Sequence, residues 1–142
     1  MLFGQDRNQL RNIYFQSWDK FKNKLPMEPM ESLIGNLISQ HPEYHDFFDQ
    51  MEQNKDKDFT PEMGQTNPFL HLGMHISIQE QLGTQRPPEI TNLYQSLCAK
   101  SGDAHEAEHQ IMDCLGEMLW TAQRNNQQPN EITYMECIKK LL

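Results

Sequence analysis

Between Asp103 and Arg124 the apolar residues recur at intervals of three and four, and that interval is the signature of a helix. Ile111, Leu115, Met118 and Ala122 keep it, as do Met112 and Leu119. At about 100° per residue the six share one face. Gly102 supplies a break and Asp103 a candidate N-cap, with Glu106 three residues on as in a capping box. Glu108 falls in the middle of the apolar face. His105 and His109 lie on its border one turn apart, and Glu106 and Asp113 point outward. A carboxylate on a buried face needs a hydrogen-bonding partner or a metal ion.

The rest of the chain has the same period, punctuated by proline and glycine. Leu10, Ile13, Tyr14, Trp18 and Phe21 predict a first helix from Asp6 to Leu25, stopped by Pro26 and Pro29. Residues 30–40 form a short helix with Leu33, Ile34, Leu37 and Ile38 inward. Pro42 ends it and opens a further short helix over 42–53, anchored by Phe47, Phe48 and Met51. Residues 54–66 read as a polar loop, in part extended. Asn67-Pro68 is a cap followed by a first-turn proline, so a helix starts there and Gly83 closes it. Ile90, Leu93, Tyr94 and Leu97 mark the next helix, broken at Ser101-Gly102. A last helix covers 131–142, with Ile132, Met135, Ile138 and Leu142 inward. No segment alternates as a strand would. The expectation is an all-α fold, a bundle of about six helices in a single domain over residues 1–142.

Composition narrows the function. The 142 residues carry a net charge of −8, the reverse of the basic face that a nucleic acid requires, and an acidic chain has little attraction to an anionic membrane. Residues 43–62 hold seven acids and two lysines, which reads as a solvated segment. No apolar run approaches a membrane span, and the first residues lack a signal-peptide core, so the expected location is the cytoplasm. Cys98, Cys114 and Cys137 are odd in number and widely spaced. They read as small buried hydrophobes rather than a disulfide framework or a zinc knuckle.

The histidines carry the chemistry. All six fall into pairs four residues apart: His41/His45, His71/His75 and His105/His109. Spacing of four puts two imidazoles on adjacent turns of one helix face, where they can chelate one ion. His71 and His75 sit at the centre of an inward face, with Gln79 beside them. His105 and His109 bring Glu108. His41 and His45 straddle the break at Pro42, so that pairing reads as accidental, with His45 a further candidate on its own. The candidate metal ligands are therefore His71, His75, His105, Glu108 and His109, with His45 in reserve, and a divalent ion such as zinc or iron suits them. HEAEH matches the H-E-x-x-H of zinc peptidases. Glu106 points away from the face a general base would need, however, and no strand edges a cleft. A di-iron bundle would need more carboxylates than the His71/His75 helix offers. A mononuclear site with three histidines and an open position fits better and could activate water or a thiol.

The segments HPEYHDFF, TNPFLHLGMHISIQEQ, RPPEI and HEAEHQIMDCLGEMLWTAQR together resemble the bacterial family Domain of Unknown Function 1841, over nearly the whole chain. The resemblance implies a bacterial, cytoplasmic, helical protein. It carries no activity and no catalytic residue, so the candidate site rests on the residues themselves.

Two readings follow. In one, the chain is a metal-binding protein with a histidine and carboxylate site. In the other, the same side chains form a metal-free polar network in an interaction or structural module, a homodimer among the options, with apolar surface near Phe47.

Overall fold

The computed structural model describes residues 7–59 and 67–142. Among these residues there are eight α-helices and no strand: α1 (Arg7–Lys22), α2 (Pro29–Ser39), α3 (His45–Asp49), α4 (Met51–Asn54), α5 (Pro68–Thr84), α6 (Ile90–Ser101), α7 (Ala104–Arg124) and α8 (Glu131–Leu141). The all-α expectation holds. The seven helical segments read along the sequence become eight helices because the one expected over 42–53 is broken. Pro42–Tyr44 forms a 3-10 turn, and Gln50, at φ −120° and ψ 66°, separates α3 from α4. No helix among the described residues is long and apolar enough to cross a membrane.

The chain divides into two compact units, Met1–Gly73 and Met74–Leu142, and α5 begins in the first and ends in the second. In the first unit α1 packs on α2 and α3. A Cβ on Gly35 of α2 would lie 3.0 Å from the Phe21 side chain, so any larger residue there would have to displace that ring. Tyr14, Phe15, Phe47, Phe48 and Phe69 form one ring cluster, with centroids such as Phe15–Phe48 at 5.4 Å and Phe48–Phe69 at 5.6 Å. Phe47, expected to edge an interaction surface, packs into this cluster instead.

The inward face of α1 is wider than its apolar stripe. Arg11, Phe15 and Ser17 are buried along with Trp18, while Leu10, Ile13, Tyr14 and Phe21 are half-buried. Each buried polar group is satisfied. Ser17 Oγ donates to the Ile13 carbonyl at 2.6 Å. Arg11 donates to the carbonyls of Lys55 and Lys57 at 3.1 and 2.7 Å and stacks over Phe69. Arg7 adds an ion pair to Asp58 at 3.0 Å. Much of the acidic segment is thus tethered to α1. Residues 60–66, the remainder of the expected loop, lie outside the described residues.

The second unit is a four-helix cluster around Ile78, Ile90, Leu97, Ile111, Leu115 and Ile138. Its helices start and stop at the punctuation read from the sequence. Asn67 Oδ1 caps α5 by accepting from the Phe69 and Leu70 amides. Gly102, at φ 76°, closes α6 by donating to the Cys98 carbonyl at 2.8 Å. Asp103 caps α7 through the His105 amide at 2.9 Å, and Asn130 caps α8 through the amides of Ile132 and Thr133. Gly83 does not end α5. The helix runs on through Thr84, and Gln85 takes the left-handed turn at φ 56°.

Two inward faces differ from expectation. In α8 the buried residues are Tyr134, Met135 and Ile138, with Leu141 packed beside them, while Ile132 is 71% exposed and Leu142 lies at the surface. The cause is Tyr134, whose hydroxyl donates to Gln81 Oε1 at 2.7 Å. That bond satisfies the phenol's polar end, so the largest side chain of α8 can go inside. In α7 Glu108, Ile111, Met112 and Leu115 are inside as expected, but Ala107 joins them and Leu119 is exposed.

The cysteine reading also needs correction. Cys114 and Cys137 form a disulfide joining α7 to α8, and Cys98 is the free thiol. Their sequence separation of 23 could not reveal this, because the packing of the two helices brings them together.

Two measurements check this part of the fold. Asn130→Ala should lower stability to urea by about 1 kcal/mol, and Asn130→Gly by only a few tenths. Denatured protein without reductant should titrate with one reactive thiol per chain, rising to three after reduction. Reduction should also cost about 3 kcal/mol of stability, the chain-entropy value for a loop of this length.

Candidate metal centre

The second unit gathers His75 and Gln79 from α5 with His105, Glu108 and His109 from α7. On α5 the residues one turn apart, 75 and 79, point the same way. On α7 the cap at Asp103 fixes the helix start, which puts His105, Glu108 and His109 on adjacent turns. Ile78 on one helix and Ile111 and Met112 on the other belong to the same buried apolar cluster.

Glu108 is 4% exposed and His75 is fully buried. The carboxylate compensates for its burial with two bonds. Its Oε1 lies 2.9 Å from His75 Nδ1, and its Oε2 accepts from Gln79 Nε2 at 2.8 Å. A carboxylate that accepts from Nδ1 puts the ring hydrogen there, and in the neutral ring Nε2 is left with its lone pair outward. That Nε2 lies 3.2 Å from His109 Nε2. His105 stacks on His75 with ring centroids 5.3 Å apart and meets His109 edge-on at 4.3 Å. One ligand nitrogen from each of His75, His105 and His109 lies within 4.8 Å of the others. His105 and His109 are only partly buried, so the group has an accessible side.

Tyr94 of α6 borders this charge. Burial pushes its phenol up to about 12, with a hydrogen bond to Cys98 and the negative charge of Glu108 acting in the same direction. The neighbour of the buried carboxylate is therefore a neutral phenol at physiological pH.

Four of the residues expected from the sequence, His75, His105, Glu108 and His109, come together here, and Gln79 completes the group. The other candidates belong to the first unit. His71 Nε2 lies 3.2 Å from His41 Nε2. His45 bonds the Ile38 carbonyl through Nε2 at 2.9 Å and tilts over the Trp18 ring at 4.6 Å. Glu106, the general-base position of the peptidase motif, is exposed. His41 is the residue that sequence reasoning passed over. Its apparent partner four residues on is His45, but Pro42 breaks the helix between them, and its partner in space is 30 residues away. No local spacing encodes that pairing.

No curated protein and no solved structure matches the chain. The model of the family described as Domain of unknown function (DUF1841) matches residues 6–140, a span that includes all six histidines and Glu108. With a match over nearly its whole length, the chain belongs to the DUF1841 family.

Proposed function

We propose that the protein binds a divalent transition metal through His75, His105 and His109, with Glu108 and Gln79 behind the ligands. The observation that carries this reading is the His75–His109 pair. Two nitrogens bound to one ion at about 2.0 Å in tetrahedral geometry lie about 3.3 Å apart, and the two Nε2 atoms are separated by 3.2 Å. The third imidazole, His105, is partly exposed, and its ligand nitrogen lies within 4.8 Å of those of His75 and His109.

Glu108 serves in this proposal as the outer carboxylate that orients His75, since both of its oxygens already accept hydrogen bonds. Three neutral imidazoles suit zinc or iron. Such an ion, with a position left open, supplies Lewis acidity toward a bound water or thiol. The reaction is left unassigned. A bacterial cytoplasmic setting belongs to the same proposal and rests on the family resemblance. In a reducing cytoplasm the Cys114–Cys137 bond would be held as thiols, so counting thiols in rapidly alkylated cell extracts tests the setting.

The second reading, a metal-free polar network, is favoured by one observation. Gln79, Glu108, His75 and His109 form one continuous run of hydrogen bonds. A homodimer fits this reading, with Trp120, 60% exposed, and Ile132, 71% exposed, as apolar surface for it.

Metal analysis separates the two. Protein purified without a tag after metal-supplemented growth should carry ion, and His109→Ala should bind one equivalent fewer than the native chain. Chelator should lower the melting temperature by several degrees. An unchanged melting temperature and equal metal content in the variant would favour the network. Glu108→Gln should keep the fold but weaken metal binding by roughly 10–100-fold, the usual effect of losing an outer carboxylate. Competition with a chromogenic chelator measures it.

A further inference from the structure

In the carboxy-terminal unit the Pro87-Pro88 turn before α6 and one side of α8 enclose a groove of about 290 Å³. Its apolar walls are Pro87 and Pro88 from the turn and Ile132 and Met135 from α8. Pro87 and Met135 are buried, Pro88 is exposed, and Ile132 is 71% exposed. Exposed aliphatic side chains are ordinary when scattered, but one that lines an apolar groove offers contact area to a partner. The volume is at the lower end of the range of ligand pockets, about 300–1,000 Å³. It suits one anchoring side chain rather than a large molecule.

The charges around the groove say what that side chain belongs to. Glu131 and Glu136 both line it and both are exposed. At about 100° per residue they fall about 140° apart on α8, with Met135, Lys139 and Ile132 between them. Among the described residues neither carboxylate has an ion-pair partner, whereas Lys139, the one cation in the lining, is held by Glu89 with Nζ 3.5 Å from Oε2. Arg86, next in sequence to Pro87, does not line the groove. The result is an apolar strip with an uncompensated carboxylate on each edge. From Glu131 to Lys139 it follows about 12 Å of helix, the reach of about four residues of extended peptide. We propose that this groove binds a short basic segment of a partner protein, with one apolar side chain against Ile132, Met135 and the two prolines and lysine or arginine on either side against Glu131 and Glu136. The chain's own charge of −8 sets copies of it against one another and attracts a cationic partner. No residue of the candidate metal centre lines the groove.

The test is fluorescence anisotropy of full-length protein with a labelled pentapeptide that carries leucine between two pairs of lysines. Binding is expected, and it should weaken as salt is raised. A peptide with serine in place of leucine should bind about tenfold more weakly, and one with glutamates in place of the lysines should not bind. Ile132→Ser should weaken the leucine peptide about tenfold. Glu131→Gln combined with Glu136→Gln should weaken it about fivefold and flatten its salt dependence. All three side chains are exposed, so these variants should keep the fold, which circular dichroism checks. A leucine peptide that fails to bind, a serine peptide that binds equally well, or unchanged affinity in either variant would each overturn the proposal. So would a dimer in sedimentation that Ile132→Ser dissociates, because a second copy of the chain would then occupy the groove.

Discussion

The carboxylate of Glu108 is the constraint on which the candidate site depends. A charge placed almost wholly inside a protein is costly unless its oxygens are engaged, and here both are, by His75 and Gln79 from a different helix. The two bonds lock the facing registers of α5 and α7. They also choose the tautomer of His75, and with it the direction of the lone pair toward His109. Removing the charge would leave the apolar packing of Ile78, Ile111 and Met112 in place, but the imidazoles would lose their common orientation.

The amino-terminal unit solves a related problem with backbone groups. Short helices leave many carbonyls without partners, and Arg11 collects two of them from the segment after α4 while its guanidinium lies over Phe69. His41 and His45 take the carbonyls of Leu37 and Ile38 at the end of α2. These polar side chains are buried for the carbonyls they satisfy, and for His41 the same bond leaves a nitrogen aimed at His71.

Helix boundaries were legible because they are local. Asn67, Gly102, Asp103 and Asn130 act on amides or carbonyls within four residues of themselves, and each does in space what its residue type suggests. The inward placement of His75 and Glu108 was legible for the same reason, since a helical wheel needs only spacing. Inward faces failed where a polar atom found a distant partner: Tyr134 through Gln81, Arg11 through Lys55 and Lys57. The pairings of His41 with His71 and Cys114 with Cys137 failed because each depends on which elements become neighbours.

By itself, then, the sequence determined an all-α chain, where most of its helices begin and end, and which face of α5 and of α7 bears histidine. Periodicity and capping are properties of a few consecutive residues, and no packing is needed to express them. Only the tertiary structure decided which imidazole meets which, that Glu108 faces His75 and Gln79, and that two cysteines 23 residues apart are bonded. Those outcomes follow from burial. Once helices pack, every enclosed polar atom must find a partner among whatever its neighbours present, and that choice is made across the chain.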